Sequence, residues 1–358
     1  MTISARPPVR PSLALSDDDH ERIVIRQDAR TGMRFIVAVH STVLGPALGG
    51  LRLKRYPGGL REALADVMGL ARTMTLKASA AGLALGGGKA VMIDDGLNGL
   101  RADRLIEAAG VIDELGGAYI TAEDIGTTTA DMDLMCRRTP YVVGRSVENG
   151  GGGDPSPVTA ETVFEAIRCG LRAAAGNDDP AGCRVGVIGL GKVGYSLASR
   201  LAAAGADVVA CDLDAERAER FANEHGATTA PSAEAVLALE LDVIAPCAAG
   251  GMIDDALARS IDCLVVAGAA NNPLTSRDVA RTLSRRGVLY VPDFLANCGG
   301  LIHVAREWYG DDGPDVAELV ARSMQSLERA IEIAEVEGST PIEVAERQAL
   351  ERVAAGRP

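Results

Sequence analysis

Aromatic residues are scarce in this 358-residue sequence: 3% of the chain, with one Trp and four Phe. A core must therefore come from Ala, Val, Leu and Ile, which fits a hydrophobic content of 47% and suits helices packed on a buried parallel sheet. Histidine is equally thin. The four residues His20, His40, His225 and His303 show no HxxxH spacing, which excludes a dedicated zinc site. Cysteines number seven, an odd count with no CxxC pair, so a disulfide framework is excluded and free thiols in a reducing cytosol are expected. Basic residues are outnumbered 36 to 49, for a net charge of −13, which argues against nucleic acid or an anionic membrane as partner. No apolar run approaches the ~20 residues of a bilayer span. The opening MTISARPPVRPSLALSDDDH has no signal-peptide core and reads as a loose, Pro-rich arm. A cytoplasmic globular protein is the expectation.

The length calls for two domains. Apolar or alternating runs at 22–40 and 51–56 read as strands. Residues 59–81 read as a helix with Leu60, Ala63, Val67, Leu70 and Ala71 on one face, and Lys77 at or past its end. KAVMID reads as a buried strand starting at Lys89, 101–115 as a helix, and AYITAED as a strand ending on Asp124. SVENGGGGDPSP (146–157) is the natural boundary, and Ser156-Pro157 reads as an N-cap and first helical position. Beyond it, short apolar strands alternate with helices: LDVIAPCA, CLVVAGAAN and GVLYVPD follow one another to residue 293. The expected fold class is α/β with two domains. A substrate-binding and oligomerisation domain (1–150) and a Rossmann-like dinucleotide domain (151–325) flank a cleft, and C-terminal helices (326–358) return to the first.

Within VGVIGLGKVG, the residues Gly189, Gly191 and Gly194 form a GxGxxG that follows a strand and opens a helix, and a second strand ends at Asp212. That context makes a dinucleotide fingerprint. Gly189 turns the chain, Gly191 admits the pyrophosphate, Gly194 lets helix and strand pack, and Lys192 and Val193 start the helix whose N-terminus faces the phosphates. Asp212 would accept the adenine-ribose hydroxyls, and with no Arg adjoining it NAD is expected over NADP. A structural glycine turn is the bland alternative.

A dinucleotide domain names a cofactor and not a reaction. GLALGGGKA (82–90) is not a phosphate loop, since Leu83 stands where a Walker motif needs Gly and Ala90 follows Lys89. Most lysines are solvated surface charges, but apolar residues flank Lys89 on both sides. Burial beside a second lysine, Lys77, would lower both amines and make a base usable near neutrality. Asp124 ends a strand at a domain edge, where a plain turn or cap aspartate is an equal reading.

These segments carry a resemblance. GPALGGLR (45–52), MTLKASAAGLALGGGKAVMI (74–93), TAEDIGT (121–127), GDPSPVTA (153–160), GLGKVG, APCAAGG (245–251), GAANN (268–272) and PDFLANCGG (292–300) together resemble the Glu/Leu/Phe/Val amino-acid dehydrogenase family over about residues 35–305. The resemblance implies reversible, NAD-dependent oxidative deamination of an L-amino acid to its 2-oxo acid and ammonia, by a homo-oligomer. It implies that Lys77 binds the substrate carboxylate, that Lys89 is the base activating water, and that Asp124 moves protons at the amino group. Gly49 and Gly50 would allow close backbone approach. Asn271 would bond the substrate or nicotinamide ribose, and Thr159 would sit near the nicotinamide amide.

The family's glutamate enzymes hold the side-chain carboxylate with a lysine and a hydroxyl residue. The matching positions here are Leu48 and Val304, so glutamate is disfavoured. Leu48, Ala122, Leu301 and Val304 would line an apolar pocket. Ala122, where phenylalanine enzymes tend to carry glycine, points to leucine, isoleucine or valine. Leu301 points instead to phenylalanine, the alternative substrate. His303 departs from the family's small polar residue. A 2-hydroxy-acid dehydrogenase would need a catalytic His–carboxylate pair, and a non-catalytic NAD-binding sensor would not need Lys77, Lys89 and Asp124 together.

Overall fold

A computed structural model of the chain describes residues 20–96, 98–311 and 313–356. The Pro-rich opening, up to residue 19, lies outside the described residues.

The first half is built on a five-stranded sheet in the order β1-β2-β4-β3-β5. Its strands are β1 (Arg22–Asp28), β2 (Met33–Ser41), β3 (Ala47–Lys54), β4 (Gly86–Ile93) and β5 (Tyr119–Glu123). β2 runs antiparallel to β1 and β4, and β3 runs parallel to β4 and β5. Side chains alternate along β2. Ile36 and Ala38 meet Ala63, Val67 and Ala71 of helix α1 (Gly59–Ala80). Phe35, Val37 and Val39 meet Leu105 and Met132 of α2 (Arg101–Glu114) and α3 (Thr129–Met135) on the other face. Because both faces are covered, β2 and β4 read as continuous apolar runs.

Three local expectations shift. Lys77 lies inside α1, in its last turn, because the Ala- and Ser-rich run to Ala80 continues the helix. Leu60 is 38% exposed, and the buried stripe is Ala63, Val67, Met68, Ala71 and Thr75. β3 begins at Ala47 and β4 at Gly86, so Gly49, Gly50 and all three glycines before Lys89 lie within strands.

The second half is a parallel sheet of six strands in the order β11-β10-β9-β6-β7-β8. Its strands are β6 (Arg184–Ile188), β7 (Asp207–Cys211), β8 (Thr228–Thr229), β9 (Val243–Pro246), β10 (Val265–Val266) and β11 (Leu289–Tyr290). The order reverses between β6 and β9, the switch point where open α/β sheets bind ligands. The helices are α4 (Ser156–Ala175), α5 (Lys192–Ala203), α6 (Ala215–His225), α7 (Ala233–Leu237), α8 (Asp255–Ala258), α9 (Arg277–Arg285), α10 (Asp293–Ala296), α11 (Gly299–Tyr309), α12 (Val316–Glu337) and α13 (Pro341–Ala354). Helix α4 starts one residue earlier than expected. Ser156 is already helical, its N–H is taken at 2.9 Å by the Asp154 carboxylate, and Pro157 occupies the second position.

Helix α13 lies against the end of α1. The Ser79 hydroxyl donates to the Ala349 carbonyl at 2.8 Å, and Arg352 donates to the carbonyls of Ser79 and Leu83 at 2.7 and 3.0 Å. One apolar cluster consequently runs from Leu48 and Leu76 through α4 and β6 to Leu301 and Ile342.

Candidate active site

β3 lies between β4 and β5, so adjacent strands present Lys89, Arg52 and the residue following Glu123 to one another. Lys89 is buried, its side chain 7% exposed, and its Nζ lies 3.0 Å from Asp124 Oδ2. Arg52 Nε donates to that same oxygen at 2.9 Å. The guanidinium is braced behind by Asp66 of α1 at 3.1 Å, and Asp66 accepts the Tyr56 hydroxyl at 2.6 Å. Asp124 is fixed further by its backbone N–H, which donates to Thr127 Oγ1 at 2.9 Å. Its Oδ1 has no hydrogen-bond partner among the described residues and is not sealed from solvent.

Burial drives the Lys89 amine below the usual lysine range. Asp124 opposes this, and Arg52 adds to it. Burial would raise the Asp124 carboxyl, but Lys89 and Arg52 overcome that and hold it below the ordinary value. The expected mutual repulsion of two lysines is a minor effect. For Lys77 burial comes first and Lys89 contributes little, while the cation that acts on Lys89 is Arg52. Arg52 went unread as a functional residue although it closes the run GPALGGLR, where a lone arginine in an apolar strand was the available signal.

Lys77 reaches across from the first half to the second. Its Nζ donates to Asn271 Oδ1 at 3.3 Å, and that oxygen also accepts Asn297 Nδ2 at 3.0 Å. Asn297 in turn donates to the Ala269 carbonyl at 3.1 Å. The site thus lies between the two sheets. Its glycines serve the protein's own close contacts: a Cβ on Gly49 would stand 1.8 Å from the Gly88 carbonyl oxygen, and one on Gly50 would stand 2.7 Å from Asp124 Cβ. Tyr119 seals this approach by donating to the Gly49 carbonyl at 2.6 Å.

Leu48, Ala122, Leu301 and Val304 are all buried in one apolar cluster. A Cβ on Gly144 would stand 3.8 Å from Val304 Cγ1 and 3.9 Å from Ala122 Cβ, so those two side chains converge beside Gly144. The neighbouring cation Arg145 is neutralised by Glu307 at 2.7 Å. Glu307, 3% exposed, also takes the N–H groups of Gly144 and Gly152 at 2.8 and 3.3 Å and so ties α11 to the turn between the halves. His303 packs under that turn, where a Cβ on Gly152 would lie 2.5 Å from its Nε2.

The nucleotide loop fits the phosphates of a dinucleotide. Gly189 has φ +99°, and a Cβ there would press on Ala248 at 2.8 Å. A Cβ on Gly194 would meet the Gly189 oxygen at 2.0 Å, whereas one on Gly191 would meet nothing within 4 Å. Gly191 caps α5 with no side chain, which leaves the N–H groups of Lys192 and Val193 at an open helix N-terminus. Thr159 of α4 bonds to the Pro155 carbonyl at 3.0 Å and faces Gly300 at the start of α11.

Asp212 departs from expectation. An arginine does adjoin it: Arg217, in the first turn of α6, reaches Asp212 Oδ1 at 3.3 Å. Oδ1 also accepts the Asp214 N–H at 2.9 Å, and Oδ2 accepts the Leu190 N–H at 2.6 Å. With about four acceptor positions on a carboxylate, roughly one remains for a ribose hydroxyl. Asp212→Ala is expected to lower kcat/KM with NAD by about tenfold and to narrow the NAD/NADP ratio, because it frees Arg217 for a 2′-phosphate. Steady-state kinetics with both cofactors read this out.

Residues 20–141 match the family model "Glu/Leu/Phe/Val dehydrogenase, dimerisation domain", and residues 213–357 match "Glutamate/Leucine/Phenylalanine/Valine dehydrogenase". Valine dehydrogenase of Streptomyces virginiae is 41% identical over 94% of this chain and 95% of its own length. The chain belongs to the Glu/Leu/Phe/Val dehydrogenase family. Leucine dehydrogenase of Bacillus subtilis (strain 168) is 38% identical over 94% of this chain and 92% of its own. L-tryptophan dehydrogenase from Nostoc punctiforme superposes with a TM-score of 0.82 at 32% identity, over 94% of this chain and 97% of that one. A match to the NAD-binding domain of D-isomer specific 2-hydroxyacid dehydrogenases is confined to residues 167–249, which hold four of the second sheet's six strands, β6 to β9. This member of the family is an NAD-dependent amino-acid dehydrogenase built as two α/β sheet domains, the second Rossmann-like. No helix among the described residues is long and apolar enough to cross a membrane.

Proposed function

We propose that the enzyme reversibly deaminates a branched-chain L-amino acid (leucine, valine or isoleucine) with NAD and water, giving the 2-oxo acid, ammonium, NADH and a proton. The observation that carries the reading is the free Oδ1 of Asp124 beside a buried Lys89, with Lys77 held by Asn271 across the cleft and an apolar cluster alongside. Bound NAD supplies the acceptor for the α-carbon hydrogen and its electron pair. Lys77 anchors the substrate α-carboxylate, and Asn271 orients that amine. Lys89, with its amine lowered, takes a proton from the water that attacks the substrate's imine carbon. Asp124, held ionised, receives and returns protons at the amino nitrogen through Oδ1.

Leu48, Ala122, Leu301 and Val304 supply the side-chain pocket. With Arg145 neutralised by Glu307, the pocket offers nothing to pair with a glutamate carboxylate. An aromatic substrate such as phenylalanine is the second reading, favoured by Leu301 and by the likeness to a tryptophan dehydrogenase. Absorbance of NADH with leucine, valine, isoleucine, phenylalanine and glutamate in turn decides between them. Turnover of a branched-chain substrate is expected, and no NADH from any of the five would point to a non-catalytic NAD-binding protein. Ala122→Gly should raise the phenylalanine-to-leucine ratio of kcat/KM by about tenfold, since a methyl's room in an apolar pocket is worth ~1–3 kcal/mol. A homo-oligomer in the cytoplasm is part of the same proposal, and the match to a dimerisation-domain model over residues 20–141 supports the assembly.

A further inference from the structure

We propose that Arg52, braced by Asp66, is a positioning residue: it holds Asp124 by Oδ2 and frees the Lys89 amine to act as the base. The inference rests on the roles given to Lys89 and Asp124 above.

A buried lysine beside a lone aspartate keeps its proton, because the ion pair is the cheapest arrangement for both groups away from water. That would silence a base. Here the aspartate oxygen facing Lys89 is already claimed at 2.9 Å by a guanidinium, which cannot give up its proton. The Asp124 charge therefore stays balanced when Lys89 is neutral. Arg52 also repels a protonated Lys89 directly. The guanidinium cannot swing away, since Asp66 grips its far nitrogen at 3.1 Å and Tyr56 grips Asp66 at 2.6 Å. With Oδ2 committed to both cations, only Oδ1 is left to meet the substrate nitrogen.

The charged groups facing Lys89 come from several elements. Arg52 stands on β3, Asp124 follows β5, and Asp66 and Lys77 stand on α1; Asp293 of α10 acts beyond them on Lys77. Arg52 and Asp66 pull the Lys89 amine in opposite directions. Arg52 disfavours its proton and Asp66 favours it. This opposition separates an electrostatic role from a structural one, because Arg52→Gln removes the cation, whereas Asp66→Asn keeps an amide oxygen to accept from the guanidinium and removes only the negative charge.

The test is the pH profile of kcat/KM for leucine deamination in the wild type, R52Q, R52K, D66N and K89A. In R52Q the ascending limb should move to higher pH, lowering the rate about tenfold one unit below the wild-type midpoint and less at higher pH. R52K should bring the limb back towards the wild type. D66N should move it to lower pH, and this decides the matter alone if R52Q does not fold. An R52Q loss that is uniform at every pH, or a D66N limb displaced upward like that of R52Q, overturns the proposal. Full activity in K89A would instead sink the base assignment on which the proposal rests, whatever the Arg52 variants do.

Discussion

Lys89→Ala is expected to cut kcat/KM for amino-acid deamination by about a thousandfold while leaving the protein folded. The size follows from the range that a positioned general base contributes, roughly a hundredfold to ten-thousandfold. Folding should survive because removing the amine does not strand a charge: Asp124 keeps its 2.9 Å bond to Arg52 and its backbone anchor at Thr127. Removing one member of a buried ion pair is costly when the other is left alone, and here a second cation remains. The sign of the wild-type pH dependence follows from the lowered amine. Below its pKa Lys89 carries a proton and no base is present, so deamination should rise tenfold per unit and level off around a midpoint well below the ordinary lysine value of about 10.4. In Lys89→Ala that limb should vanish from the residual rate. A wild-type rate that climbs without levelling to pH 10.4, or a variant that retains the limb, would assign the base elsewhere. NADH absorbance over a pH series, with Tm as the check on folding, measures both.

The sequence carried the fold because its cues are local. Apolar strands covered on both faces, helices with one apolar stripe and the glycines at 189, 191 and 194 each speak for a few residues around them. Lys89 was legible for a related reason, since a charge set in an apolar run has few structural excuses, whereas Lys77 and Asp124 stood out only through the family resemblance. Arg52 shows where this stops. Its two acids stand 14 and 72 residues away: the packing of α1 on the sheet brings Asp66 to its guanidinium, and the pairing of β3 with β5 brings Asp124. Arg217 was closer to hand. Asp212 directly follows β7 and α6 begins three residues later, so an arginine in that helix's first turn could have been expected to fold back on it. The sequence reading places Lys77 at or past a helix end, whereas the Ala- and Ser-rich residues that follow it carry α1 to Ala80. The convergence of Ala122 and Val304 at Gly144 joins the first sheet to α11 and leaves no mark on either segment alone.

Gly87→Ala should be a strongly disruptive single-methyl change at the site. The sequence reading starts the strand at Lys89, but the three glycines before it already lie in β4, which pairs with β2 and β3 on its two sides. A glycine inside a strand marks a place where another backbone comes close. At Gly87 that backbone is α1: an added Cβ would stand 2.0 Å from the Thr75 nitrogen and 2.5 Å from its Cα. Neither can yield without shifting the helix, and Lys77 rides on the same turn. A displacement of about 1 Å would pull its amine off Asn271, now 3.3 Å away, and a misplacement of that size in a catalytic geometry costs about a hundredfold. Overpacking adds a destabilisation of about 3 kcal/mol, at the upper end of such insertions. Gly87→Ala should therefore lower Tm by about 5–10 °C, raise KM for the amino acid and depress kcat. Gly69→Ala on the same helix is the control. Gly69 is solvent-exposed with nothing within 4 Å of an added Cβ, so alanine there should stabilise α1 by roughly 0.5–1 kcal/mol and leave kinetics unchanged. Opposite signs of the Tm shift in the two variants tie the glycines before Lys89 to the seating of α1 on the sheet. An unchanged KM in Gly87→Ala would separate the helix seating from the anchoring of the substrate carboxylate.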